Sequence, residues 1–271
     1  MWARSLLLLC AASGCLGVLA GVLHDKARSG ETDFFDDNIE ANPITKDELN
    51  EREAGSGQTP LMAASLAGKH LVVDRLLRLG ADHTITERDG YNPPHGVAFQ
   101  GRPEAAQILV EHGVPMDVAH ADGFTPLHRT VWGGKPQHLL TAEILVKGGA
   151  DVNHLDAQGF PPSHKALDAR WVEMLRALLD MGADPNIRTR LRGDTLLHAA
   201  VRAQSVDIVA LVVEAGGDVS VKNDNGLTPK GLAKQMPSTE IRALMETSAI
   251  RRRGEHADGV EKQAKEAKEE L

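Results

Sequence analysis

The sequence predicts an all-α array of repeated helical units, and three observations carry that prediction. Glycines at 57, 90, 123, 159, 193 and 226 open six similar segments, spaced 33, 33, 36, 34 and 33 residues apart. A second series, Gly80, Gly113, Gly149, Gly182 and Gly216, follows the first five openers by 23, 23, 26, 23 and 23 residues, so both series share one insertion. A period in this range marks stacked repeat architectures. Apolar residues make up 42% of the 271 and charged residues 25%, ordinary values for a chain with a buried core, which excludes wholesale disorder and collagen-like structure. With a net charge of −8, the chain as a whole is a poor ligand for nucleic-acid backbone.

The openings read GQTPLMAAS, GYNPPHGVA, GFTPLHRTV, GFPPSHKAL, GDTLLHAAV and GLTPKGLAK; the endings read LLRLGAD, LVEHGVPMD, LVKGGADVN, LLDMGADPN and VVEAGGDVS. These segments resemble the ankyrin repeat family over roughly residues 55–246. The resemblance implies a solenoid of stacked helix-turn-helix units with hairpin-like loops, about five full repeats plus a C-terminal cap. Local chemistry agrees with it. Thr59, Thr125, Thr195 and Thr228 are N-cap residue types, and Pro60, Pro93, Pro126, Pro162 and Pro229 suit the first helical position, where no N–H is needed. Apolar pairs such as Leu76-Leu77 and Leu178-Leu179 end the second helices, and the second glycine series stops them in a left-handed conformation. No unit buries its apolar face alone, so stability comes from stacking.

Before the array, residues 1–20 read as a secretory signal peptide. Arg4 precedes an uncharged run, Ser5 to Leu23, and Val18-Leu19-Ala20 sets a small residue at the expected cut. An alternative keeps the run to residue 23 as a membrane anchor with luminal repeats. Cleavage removes Cys10 and Cys15, which excludes disulfides, thiolate metal sites and cysteine nucleophiles from the mature chain. Residues 21–54 are expected as an acidic, partly disordered segment, with nine Asp or Glu against two Lys or Arg over 31–53. Within it Thr45-Lys46-Asp47-Glu48 fits a capping box that starts a short helix over the first repeat.

Within the array, repeats two and four carry double prolines, Pro93-Pro94 and Pro161-Pro162, which predict weak first helices. The insertion in repeat three, around Gly133-Gly134-Lys135, predicts a longer inter-helix loop. Residues 55–246 form the repeat domain, and 247–271 are a charged tail ending in KEEL, which resembles an endoplasmic reticulum retrieval signal. A signal peptide together with this ending predicts residence in the endoplasmic reticulum lumen or the secretory pathway. A secreted form is the other alternative.

No catalytic or metal-binding pattern is present: there is no GxxxxGK[ST], HExxH, GxSxG or CxxC. His95, His128, His164 and His198 share one repeat position, where the resemblance implies a hydrogen bond to neighbouring loop backbone. Asp82, Asp151, Asp184 and Asp218 likewise share a loop position. The expectation is therefore a non-enzymatic protein-binding adaptor or scaffold without cofactor or metal, an unrecognised hydrolase or metal-dependent enzyme ranking last. The family's register places partner contacts at the residue after the opening glycine and on the first helix. Those positions hold Tyr91, Phe124 and Phe160, and Phe99 and Trp132: five of the eight aromatics beyond the leader. Arg129, Arg202, Arg188, Arg190 and Arg192 are expected to form a basic rim suited to a protein partner with an acidic surface, and the 31–53 segment could supply such a surface in cis.

Overall fold

The computed structural model describes residues 16–41 and 44–248, with side chains over 21–36 and 44–248. The first 15 residues of the leader, the tail beyond 248 and its KEEL ending lie outside the described residues. Among the described residues all regular structure is helical, in two compact units that divide after Ala157.

In the first unit, α1 (Leu16–Ser29), α2 (Thr32–Ala41) and α3 (Lys46–Leu49) lead into three helix pairs: α4 (Pro60–Ala67) with α5 (His70–Arg78), α6 (Pro93–Gln100) with α7 (Pro103–Glu111), and α8 (Pro126–Thr130) with α9 (Pro136–Lys147). First helices pack on first helices and second on second, α4 on α6 on α8 and α5 on α7 on α9. The stack has a continuous apolar interior of Leu61, Leu76, Leu109 and Leu145, each fully buried. Burial at that level is worth roughly 1.5–3 kcal/mol per leucine.

The second unit repeats the plan. α10 (Pro162–Asp168) pairs with α11 (Val172–Asp180), and α12 (Leu196–Ala203) pairs with α13 (Val206–Glu214). α14 (Pro229–Ala233) packs on α12, and a last helix over 239–248 buries Ile241 and Met245.

Local chemistry sets these boundaries. Thr59 and Thr228 Oγ1 accept from the backbone N–H three residues on, and proline stands at the start of α4, α6, α8, α10 and α14. Gly80, Gly113, Gly149, Gly182 and Gly216 all have φ between 70° and 96°, as C-terminal helix stops require.

Two sequence expectations change, and three hold. The acidic segment is ordered over much of its length: α1 packs on α4, α2 packs on α5, and Leu23, Ala27 and Phe35 are buried in the core of the first unit. The spacing of these apolar residues on helix faces outweighs the acidic composition. The capping box at Thr45 forms, with Glu48 Oε2 accepting from Thr45 N–H at 2.7 Å. Repeat two has a full eight-residue first helix despite its double proline, because both prolines occupy the first turn and Asn92 Oδ1 accepts from His95 N–H. Repeat four is the shorter one, starting after Pro161 with no side-chain cap. The three-residue insertion of repeat three widens the loop between α8 and α9, and α9 reaches 12 residues where the other second helices of the array have nine.

Candidate functional site

In the first unit, Arg129 on α8 gathers the predicted aromatics around its guanidinium. Its carbon lies 4.7 Å from the Tyr91 ring centroid, 4.8 Å from Phe124 and 5.0 Å from Trp132. Nη2 donates to Tyr91 Oη at 2.8 Å and to Asp122 Oδ2 at 2.5 Å. Phe124 and Trp132 meet edge to face at 4.9 Å, and Tyr91 stacks on His120 at 4.3 Å. Burial pushes the Asp122 carboxyl up, but the Phe124 N–H, His120 and Arg129 outweigh it and hold the group below the usual range. Arg129 is therefore the paired centre of an aromatic cluster, not the rim cation that the sequence predicts.

Beside this cluster runs a groove of about 330 Å³. Met62, Leu66 and Phe99 form its apolar wall, Tyr91 and Arg129 one end, and Gln58 and Glu87 its polar edge. Gly96 lines the groove. It occupies the helix position that Ala63, Arg129, Lys165 and Ala199 hold in other repeats, so one repeat lacks a side chain there. Phe99, in the groove wall, is 53% exposed, and Trp132, stacked against Arg129, is 46% exposed, unusual for residues of this size. Tyr91 and Phe124 are half-buried and hold the arginine; Phe99 and Trp132 present free surface.

Phe160 belongs to the second unit and is described with it. Its ring lies 4.7 Å under Lys165 Nζ and lines a groove of about 390 Å³ with Leu167, Arg170, Leu191, Arg192 and Arg202. The predicted basic rim divides here. Arg202 forms a two-point pair with Asp194, whose Oδ1 also accepts from Asn223 Nδ2 at 2.8 Å. Burial pushes Asp194 up, and the Arg202 and Asn223 bonds bring it below its ordinary value. Arg188 pairs with Asp224 at 2.6 Å and donates from Nε to Gly193 O. Arg190 and Arg192 are exposed. Sequence reasoning missed Arg170 and Leu191. Arg170 takes a left-handed φ of 56° at the end of α10, and Leu191 is 70% exposed between the two free arginines. Both sit in the groove, and their register could have exposed them. Three of the acidic residues of 31–53 are already paired in the first unit. Glu31 pairs with Lys26, Asp36 with Arg75 and Glu53 with Arg28, all inside the first unit, and the Arg28 and Ser56 hydrogen bonds hold the Glu53 carboxyl at about 2.

Among the repeat histidines, His95 and His198 serve as loop anchors. His95 Nε2 donates to Phe124 O at 3.1 Å and His198 Nε2 to Leu227 O at 2.9 Å, while Thr195 N–H donates to His198 Nδ1. Burial lowers His95 to about 4 and lowers His198 in the same sense. Asp82, Asp151, Asp184 and Asp218 each accept from the backbone N–H two residues on, closing their loops. Among the described residues no three His, Cys, Asp or Glu side chains are grouped to hold a metal, and no helix is long and apolar enough to cross a membrane.

These features define a repeat protein built for surface recognition. The chain belongs to the ankyrin repeat family: the family described as "Ankyrin repeats (3 copies)" matches residues 61–156 and 135–223. The chain is similar to the potassium channel AKT1 of Oryza sativa subsp. indica, 35% identical over 79 residues, which are 29% of this chain and 8% of the channel. It also resembles a Danio rerio protein named as a palmitoyltransferase, ZDHHC13, at 30% identity over 181 residues, 66% of this chain and 22% of that protein. In both cases the chain spans less than a quarter of the relative. The ankyrin repeat domain of Bcl-3 superposes with a TM-score of 0.68 at 23% identity, covering 83% of this chain and 97% of that one, which shows the fold alone.

Proposed function

We propose that this chain is a non-enzymatic adaptor or scaffold of the secretory pathway, resident in the endoplasmic reticulum lumen, that holds a protein partner in the groove of its first unit. The observation that carries the reading is the groove beside Gly96, walled by half-exposed Phe99, with half-exposed Trp132 against Arg129, which also lines the groove. Large aromatics at the edge of a preformed hollow are the anchors that dominate interface energies, at roughly 2 kcal/mol or more on truncation. Arg170, Arg190 and Arg192, exposed around Leu191 in the second unit, favour partners with acidic surfaces by steering their approach.

The luminal address rests on the signal-type leader and the KEEL ending. One packing observation supports a leader that leaves over a retained anchor: Leu23, at the end of the uncharged run, is buried in the repeat core, away from any bilayer. Proximity labelling from the full chain in living cells tests the reading. Wild type is expected to label luminal proteins, and the pair Phe99→Ser and Trp132→Ser is expected to lose most of them while keeping its folded spectrum. Unchanged labelling by the pair removes the groove from the account, and labelling of cytosolic proteins alone removes the lumen.

A further inference from the structure

Residues 21–30, GVLHDKARSG, lie outside the array that the glycine series delimits and ahead of the family match at 61. Four features of the repeats nevertheless recur in the segment ahead of the array, three of them within 21–31. His24 Nε2 donates to Gln58 O at 2.7 Å. Gln58 follows the opening Gly57 as Phe124 follows Gly123 and Leu227 follows Gly226, so His24 makes the same bond as His95 and His198. Six residues beyond each such position the backbone turns left-handed: Gly30 (φ 86°) after His24, Gly101 (60°) after His95, Gly134 (63°) after His128, Arg170 (56°) after His164 and Gln204 (53°) after His198. The next residue closes the same turn, Glu31 N–H onto Lys26 O as Arg102 N–H onto Val97 O and Trp171 N–H onto Ala166 O. Finally, Asn50 Oδ1 accepts from Asp82 N–H at 2.8 Å, as Asn186 Oδ1 accepts from Asp218 N–H at 2.7 Å. The packing agrees, since α1 takes the place of a first helix on α4 and α2 that of a second helix on α5.

We infer that residues 21–56 are a further, diverged ankyrin unit, and that proteolytic processing between Ala20 and Gly21 sets the mature N-terminus at the cap of its first helix. In this register Gly21 stands where Thr59, Asn92, Thr125 and Thr195 cap the other first helices, and glycine is an acceptable residue there. The cut severs α1 ahead of its packed part. Leu23, His24 and Ala27 are buried and Arg28 is paired with Glu53, all on the retained side. A cut three residues later would remove Leu23, and one four or more residues later would also remove the His24 donor to Gln58 O. The cut rests on the secretory reading; the extra unit does not.

Two measurements on the full chain separate these parts. Hydrogen exchange read by mass spectrometry is expected to protect residues 22–41 to the level of 60–78, with His24→Ala abolishing protection over 22–41 and lowering the melting temperature by about as much as His198→Ala, roughly 4 °C or more. Exchange of 22–41 at unfolded rates in the wild type, or unchanged protection and melting in His24→Ala, overturns the extra unit. N-terminal sequencing of the chain recovered from the lumen of cells expressing residues 1–271 is expected to begin at Gly21. A luminal chain beginning at His24 or later overturns the cut alone; a chain that keeps Met1 outside the secretory pathway overturns the cut together with the secretory reading, while the exchange result still decides the unit.

Discussion

Asp122 holds Arg129 at 2.5 Å inside a ring of three aromatic side chains, Tyr91, Phe124 and Trp132. The arginine side chain is only 12% exposed, so its charge needs the carboxylate more than a surface arginine would. Removing the carboxylate strands that charge and also frees the Phe124 N–H, whereas replacing the arginine with an apolar residue of similar length keeps the packing. Asp122→Ala is therefore expected to cost about 2 kcal/mol of stability. Arg129→Met is expected to cost less, and urea unfolding of the two variants measures the order; the reverse order would show that the cation itself holds the cluster.

Acid sensitivity follows from the buried histidines. The folded chain keeps His95 neutral down to about 4, while the unfolded chain takes up a proton near the ordinary value of 6.5. Between those values the unfolded state binds more protons, so stability falls as pH falls. His95 alone accounts for about 3 kcal/mol across that window, and His198 acts in the same direction. Urea midpoints at pH 7, 5.5 and 4.5 are expected to drop steadily, with a shallower slope in His95→Gln. Glu53, held at about 2, sheds its contribution only as pH falls below about 4.5, so the two effects separate.

Two glycines with positive φ are expected to respond differently to alanine. At Gly80 a Cβ meets open space, and only left-handed strain of about 1 kcal/mol opposes it. At Gly123 the same atom would come within 2.2 Å of Ala157 N, which must shift. Thermal melting of Gly123→Ala is expected to fall well below that of Gly80→Ala; equal melting would show that the Gly123 loop relaxes freely.

Gly96 separates recognition from folding. Alanine there gains helix propensity of roughly 0.5–1 kcal/mol and meets the Met62 methyl at 3.2 Å, a flexible neighbour. Gly96→Ala is expected to melt at or slightly above the wild type. Gly96→Met is expected to remain folded, fill the groove and lose the labelled partners. A folded Gly96→Met that keeps them would move the binding surface elsewhere.

Much of this molecule is legible in its sequence because one pattern is written several times. The two glycine series mark where each unit begins and where its second helix stops, and the shared histidines and loop aspartates keep one structural duty in the repeats where their bonds are described. The aromatic residues were found by the same register. What the register hides is which charges are already used. Asp122 lies seven residues before Arg129 and Asp194 eight before Arg202, in the loop leading into each first helix, so both arginines turn back onto their own repeat. Read as charges alone, they look free. The groove beside Gly96 escaped because its wall is assembled from two neighbouring repeats, Met62 and Leu66 from one and Phe99 from the next. The N-terminal helices escaped because they lack an opening glycine and proline, and because 38 residues separate His24 from Met62 where 33 separate most repeats.

The most direct test places a photoreactive phenylalanine analogue at Phe99 in the full chain, with the same analogue at Leu71, which is 61% exposed on α5, as the control. Illumination in intact cells is expected to attach a distinct luminal protein at position 99 and none at 71. Equal crosslinking from both positions, or none from 99 with the chain folded and in place, would contradict a partner seated in this groove.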